Sequence, residues 1–151
     1  MHTAKRNGGL DERFFIYAEE TDLCRRLASA GYEVQYFPQV TVYHHVAQTS
    51  AKVPERRINE LWRSRHRYWA KHHSRAGARV AALCTAWQYA ALAAISSALL
   101  RLPERARPRR RSLRNPAELW LQAHNAVRGV SGPGLRELAE EWNSRVRAVS
   151  A

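Results

Sequence analysis

The rhythm of apolar and polar positions changes near residue 54. Before it, short apolar runs alternate with turn-forming residues. Arg13-Phe14-Phe15-Ile16-Tyr17 fits a buried strand or loop, while Tyr32 to Phe37 and Val40 to His45 are β-rich, with Val40, Val42 and His44 alternating to one side. Between these runs a helix is predicted from Thr21, with acidic residues at its start, Leu23, Leu27 and Ala28 on one face and Gly31 as its stop. From Pro54 onward the period is helical. Ile58, Leu61, Trp62 and Trp69 mark an apolar stripe flanked by Arg56, Arg57, Arg63, Arg67 and Lys71, a basic amphipathic helix.

Val80 to Leu100 contains no charged residue and predicts a helix about 30 Å long, enough to cross a bilayer. Eight of its 21 residues are Ala, with Thr85, Gln88, Ser96 and Ser97 among the rest, so a helix lying in the interface or against a partner is as well supported as a spanning one. Pro103 and Pro108 in an arginine-rich run mark a linker. Asn115 as N-cap, Pro116 and Glu118 then open a helix with Leu119, Trp120, Ala123 and Val127 on its apolar face. Ser131-Gly132-Pro133-Gly134 breaks it, and Leu135, Leu138, Ala139, Trp142, Val146 and Val149 give a last helix. The expected fold class is therefore an α/β fragment, with short strands and one helix, followed by a mostly α-helical region. Four segments result: 1–51, 52–102, 103–114 and 115–151, the last expected as a helical hairpin.

Composition narrows the picture. With 151 residues and 45% hydrophobic content the chain is not disordered throughout. Cys24 and Cys84 allow one disulfide at most, and the first residues lack a secretory signal pattern, which excludes a disulfide-stapled secreted module. The net charge of +12 is uneven. Residues 1–51 carry 5 basic and 6 acidic side chains, 52–79 carry 9 and 2, 101–114 carry 7 and 1, and 115–151 carry 4 of each. The basic excess thus brackets the uncharged stretch. Because 22 of the 25 basic residues are Arg, GC-rich coding accounts for part of it.

The densest chemistry is Glu19-Glu20-Thr21-Asp22, where crowded carboxylates raise one another's pKa and can supply a general base or a metal ligand. The helix dipole alone also favours acids there. His44 stands at a strand end, the His72-His73 pair has no third ligand at metal-site spacing, and Gly8-Gly9 is a turn suited to positive φ.

The ordered run Gly8-Gly9-Leu10-Asp11-Glu12-Arg13-Phe14-Phe15-Ile16-Tyr17-Ala18-Glu19-Glu20-Thr21-Asp22-Leu23-Cys24-Arg25-Arg26-Leu27, followed by Ala30-Gly31-Tyr32, Phe37-Pro38 and Val42-Tyr43-His44-His45, resembles the second half of the catalytic domain of family 2 glycosyltransferases. The likeness is strongest to rhamnosyltransferase-like and galactofuranosyltransferase-like members and covers about a third of the chain. It implies a GT-A fold and inverting transfer of a sugar from a nucleotide diphosphate sugar to a cell-envelope or lipid-linked glycan acceptor. By position it makes Glu20 the base, with Glu19 and Asp22 as supports that orient it or contact the acceptor. Gly8, Gly9 and Asp11 would line the acceptor cleft, and His44 would help hold a divalent metal, Mn or Mg, beneath the donor diphosphate. Glu20 stands where many relatives have Asp, and Ala47 and Thr49 replace Gly and Ser after the histidine.

No D-x-D motif occurs, and the chain begins seven residues before the glycine pair. The expectation is the C-terminal part of a catalytic domain, inactive alone. Its expected location is cytoplasmic, peripheral to or anchored in the inner face of the plasma membrane, with an anionic membrane surface as a partner of the basic flanks. The competing expectations are a basic module that binds nucleic acid or membrane without catalysis, and a remnant without function. No recognition helix, zinc finger or RNA-binding signature supports base reading, so nucleic acid is not the expected partner.

Overall fold

A computed structural model describes residues 8–43, 53–103, 105 and 114–150. Five helices are present among them: α1 (Glu19–Ser29), α2 (Pro54–His72), α3 (Arg75–Leu100), α4 (Pro116–Arg128) and α5 (Leu135–Ser150). The expected α/β fragment is corrected, because the described residues contain no strand. The reason is pairing. A strand needs a neighbour for its N–H and C=O groups, and β propensity counts only where such a neighbour exists. Residues 32–43 have none among the described residues and run without regular structure, leaving Tyr36 88% and Val42 80% exposed. Arg13 to Tyr17 instead turns sharply into α1, with Phe14 N–H donating to the Asp11 carbonyl at 2.9 Å.

Two compact units form, Met1–Tyr68 with Ser131–Ala151, and Trp69–Val130. The first is built around Trp62 of α2, which has no exposed surface, together with Phe14 and Leu135. Three polar side chains, Asp22, Glu60 and Ser64, are buried with them. The arginines that flank the α2 stripe are not simply a solvated face. Arg56 pairs with Glu141 at 3.0 Å and Arg63 with Glu137 at 2.5 Å, so α5 returns acidic groups to the most basic helix. The preceding loop is clamped as well, since Arg63 donates to Gly132 O at 2.9 Å and Asn59 to Pro133 O at 3.0 Å. Gly134 sits directly over Glu60, where a Cβ would collide with Glu60 Oε2.

The second unit rests on helix signals of a simpler kind. Ser74 caps α3 by accepting from Gly77 N–H at 3.1 Å, and Asn115 caps α4 by accepting from Ala117 N–H at 3.0 Å, with Pro116 opening the helix as its fixed φ suits. α3 packs on α4. The buried positions of the pair are mostly small: Ala93 and Ser96 on α3, and Leu119, Ala123, Asn125 and Ala126 on α4. Small side chains allow two helix backbones to approach closely.

Candidate active site

The expected base and its supports open α1. The helix starts at Glu19, two residues before the expected Thr21, and carries Glu19, Glu20 and Asp22 in its first turn. The residues before it are unusual. Tyr17 and Ala18 both have positive φ, 69° and 64°, although neither is glycine. Left-handed backbone costs an L-residue about 1 kcal/mol or more, and such strain persists only where surrounding contacts impose it. Those contacts are visible. Ser64 of α2, fully buried, donates its hydroxyl to Ile16 O at 2.8 Å, and Asp22 N–H closes the first helical turn on Ala18 O at 2.8 Å.

The three carboxylates then occupy different surroundings. Glu20 is exposed, Glu19 is half-buried and Asp22 is fully buried. Asp22 Oδ2 accepts from Arg26 Nε at 2.8 Å, one helical turn on, and Arg26 Nη2 reaches the Gly9 carbonyl at 2.5 Å. Arg26 therefore ties the glycine turn to the helix start, bringing Gly9 and Asp22 into one network. Gly8 and Gly9 have φ of 80° and 62°, the conformation the turn requires. Asp11 is held by Arg13, whose Nη2 lies 2.7 Å from Asp11 Oδ2. Glu19 is pushed above the ordinary carboxylate pKa, chiefly by burial and further by the neighbouring Glu20 charge. Its Oε2 is buried and has no hydrogen-bond partner among the described residues.

This arrangement offers an exposed carboxylate beside a second one whose pKa is raised, both directly after a strained turn. It can accept a proton from a hydroxyl group brought to the α1 N-terminus. His44 lies outside the described residues, so its placement relative to these carboxylates is not part of this geometry. Among the described residues no three His, Cys, Asp or Glu side chains come together as a metal site. The divalent metal implied by the resemblance therefore finds no donor set among the described residues.

Three residues that hold the site were missed in the sequence. Arg26 belongs to the run that carries the resemblance but was given no role there, although an acid and a base four apart on a helix commonly pair. Ser64 and Arg136 were not within reach, because they act across long separations. Arg136 Nη2 donates to Glu12 O at 2.8 Å and its guanidinium lies 5.5 Å from the centre of the Phe15 ring, so α5 also grips the loop that leads into α1.

Known proteins offer one partial likeness in sequence. No family model matches the chain. No solved structure matches it significantly either. Two curated proteins, from two strains of Mycobacterium tuberculosis, are each 37% identical to it over 67 residues, which is 44% of this chain and 22% of theirs. Both are named N-acetylglucosaminyl-diphospho-decaprenol L-rhamnosyltransferase. The similarity is to a glycosyltransferase. The chain thus spans about a fifth of the length of the curated relatives it matches. The link to the glycosyltransferase class is partial and rests on that shared stretch.

Proposed function

We propose that this chain is the acceptor-side part of an inverting family 2 glycosyltransferase of the rhamnosyltransferase-like kind. Glu20 takes the proton from the acceptor hydroxyl while that oxygen forms a bond to the anomeric carbon of a nucleotide diphosphate sugar. The bond to the diphosphate breaks, and the diphosphate leaves with its electron pair. Asp22, which is buried, acts through Arg26 on the Gly8-Gly9 turn rather than by touching the acceptor. Gly8, Gly9 and Asp11 border the acceptor. The acceptor is a lipid-linked or cell-envelope glycan, a reading supported by the polyprenol-linked sugar in the relatives' name. The location that follows is the cytoplasmic face of the plasma membrane.

The observation that carries this reading is the strained Tyr17-Ala18 turn presenting Glu19 and Glu20 at a helix start, in a chain that shares a stretch with a rhamnosyltransferase. Glu19 is the second candidate for the base because its proton affinity is raised. Nucleotide sugar and divalent metal belong to the complete enzyme, with His44 as the metal candidate. The sequence holds no D-x-D, and on this reading the 151-residue chain transfers no sugar by itself.

The test joins this chain to the remaining part of a relative and follows transfer of labelled sugar to a polyprenol-diphosphate N-acetylglucosamine. Glu20→Gln is expected to abolish turnover and leave donor binding unchanged. Retained turnover removes Glu20 from the role, and loss confined to Glu19→Gln moves the role to Glu19. Turnover by the unjoined chain would contradict the reading of it as incomplete.

A further inference from the structure

α3 is long and apolar enough to cross a membrane, yet only 11% of its most apolar window is buried. That separates it from the core helix of a water-soluble domain, which would hide such a surface. Its exposed apolar side chains are also ordered. Val80, Leu83 and Trp87, at spacings of three and four, share one face, and Ile95 extends it two turns further. Trp87 is 75% exposed. The opposite face carries the buried Ala93 and Ser96, and α3 packs on α4.

Both charge and the neighbouring helix restrict what can cover this face. Arg79 lies one turn before Leu83 on the same side, and Arg101 follows the last turn, so a basic residue stands at each end of an uncharged face about 33 Å long. That sequence of charge, apolar body and charge fits anionic headgroups over acyl chains. A spanning arrangement does not fit. It would carry α4 into the hydrocarbon, and α4 exposes Glu118, His124 and Arg128. Each charged side chain costs about 2.5 to 3.5 kcal/mol at mid-bilayer, and a helix of 13 residues is too short to place both ends in water.

We infer that α3 lies flat in the headgroup region of an anionic membrane, with the Val80, Leu83, Trp87 and Ile95 face toward the acyl chains and α4 on the water side. This deepens the membrane part of the proposed function and is independent of the transfer step. It keeps the chain at the surface where a polyprenol-linked acceptor is presented, without spanning the membrane.

The test uses the 151-residue protein with phosphatidylcholine vesicles that contain or lack phosphatidylglycerol. Binding about tenfold or more tighter to the anionic vesicles is expected, from roughly 1 kcal/mol for each nearby arginine. Trp87→Glu should lose that binding while helix content measured by circular dichroism stays unchanged. Depth is read with nitroxides attached at Leu83→Cys, Ala91→Cys and Ala98→Cys, one at a time, in a Cys24→Ser, Cys84→Ser background. Equal, shallow depths at the three positions support a flat helix. Ala91 about 10 Å deeper than the other two would overturn it in favour of a span. Absence of vesicle binding, or burial of the three labels in a self-associated oligomer in solution, would overturn lipid as the occupant. None of these readouts depends on sugar transfer.

Discussion

Each unit is stabilised internally by different means. In the first, a few specific polar contacts fix loops and helices: Ser64 on Ile16, Arg26 between Asp22 and Gly9, Arg63 between Glu137 and Gly132. In the second, two helices meet through Ala and Ser positions and leave most of their apolar surface outward. The first pattern suits a site, because directional contacts position individual atoms. The second suits a surface, where composition matters more than the place of any one atom.

Truncation of a tryptophan breaks this comparison most sharply. Trp62→Ala should cost about 3 to 5 kcal/mol, since the ring is fully buried, and unfold the first unit in urea at far lower concentration. Trp87→Ala should change stability by about 0.5 kcal/mol or less, because its ring already faces outward. Equal effects would erase the distinction. Asp22→Asn comes next, at roughly 3 kcal/mol, since it leaves Arg26 without its buried partner charge. Hydrogen exchange should rise in residues 8–18 together with α1, and stay unchanged in α3 and α4. The mirror experiment, Ala126→Leu, overfills the second unit for about 1 to 3 kcal/mol and should speed exchange in α3 and α4 alone.

Acid offers a finer distinction. Burial alone would raise the Glu137 carboxyl, but hydrogen bonds from Arg63 and from the Glu137 and Gly134 backbone hold it at about 2, below its ordinary 4.5. A carboxyl lowered on folding contributes stability fully above its ordinary value and loses it as pH falls through the folded value. Protection of α5 amides should therefore decline between pH 4.5 and about 2, and Glu137→Gln should flatten that decline. The smallest effect has the opposite sign. Glu19 is raised by burial and by Glu20, so its charge opposes folding as pH rises through its folded pKa. Glu19→Gln should slightly raise the melting temperature at neutral pH, a small gain of the kind expected where a site is not optimised for stability.

What was legible in the sequence follows the same division. The helices of the second unit were readable because their signals are local: Asn115 and Pro116 start α4, and the uncharged run 80–100 lies within α3, although the helix begins five residues earlier, at Arg75. The carboxylate cluster and Gly8-Gly9 were also readable as a pattern, and the structure brings Gly9 and Asp22 together through Arg26. The β-rich runs misled because strand propensity is conditional on a neighbour, and Tyr32 to Tyr43 has no strand beside it among the described residues. The contacts that shape the turn before Glu19 were hidden for another reason. Ser64 meets Ile16 across 48 positions and Arg136 meets Glu12 across 124, and no periodicity encodes such a pairing.

Gly134 gives that long-range dependence a genetic form. Loop positions usually tolerate substitution, and a saturation scan would be expected to show residues 131–134 as permissive. Yet the space above Glu60 admits a hydrogen atom and not a methyl group, so even alanine at 134 must displace a carboxylate that is 99% hidden from water. Even the chemically mildest replacement asks the ends of the Glu60, Arg63 and Glu137 side chains to move. The position should therefore score below its loop neighbours in such a scan, and the positions it depends on, Glu60 and Arg63, lie more than seventy residues away.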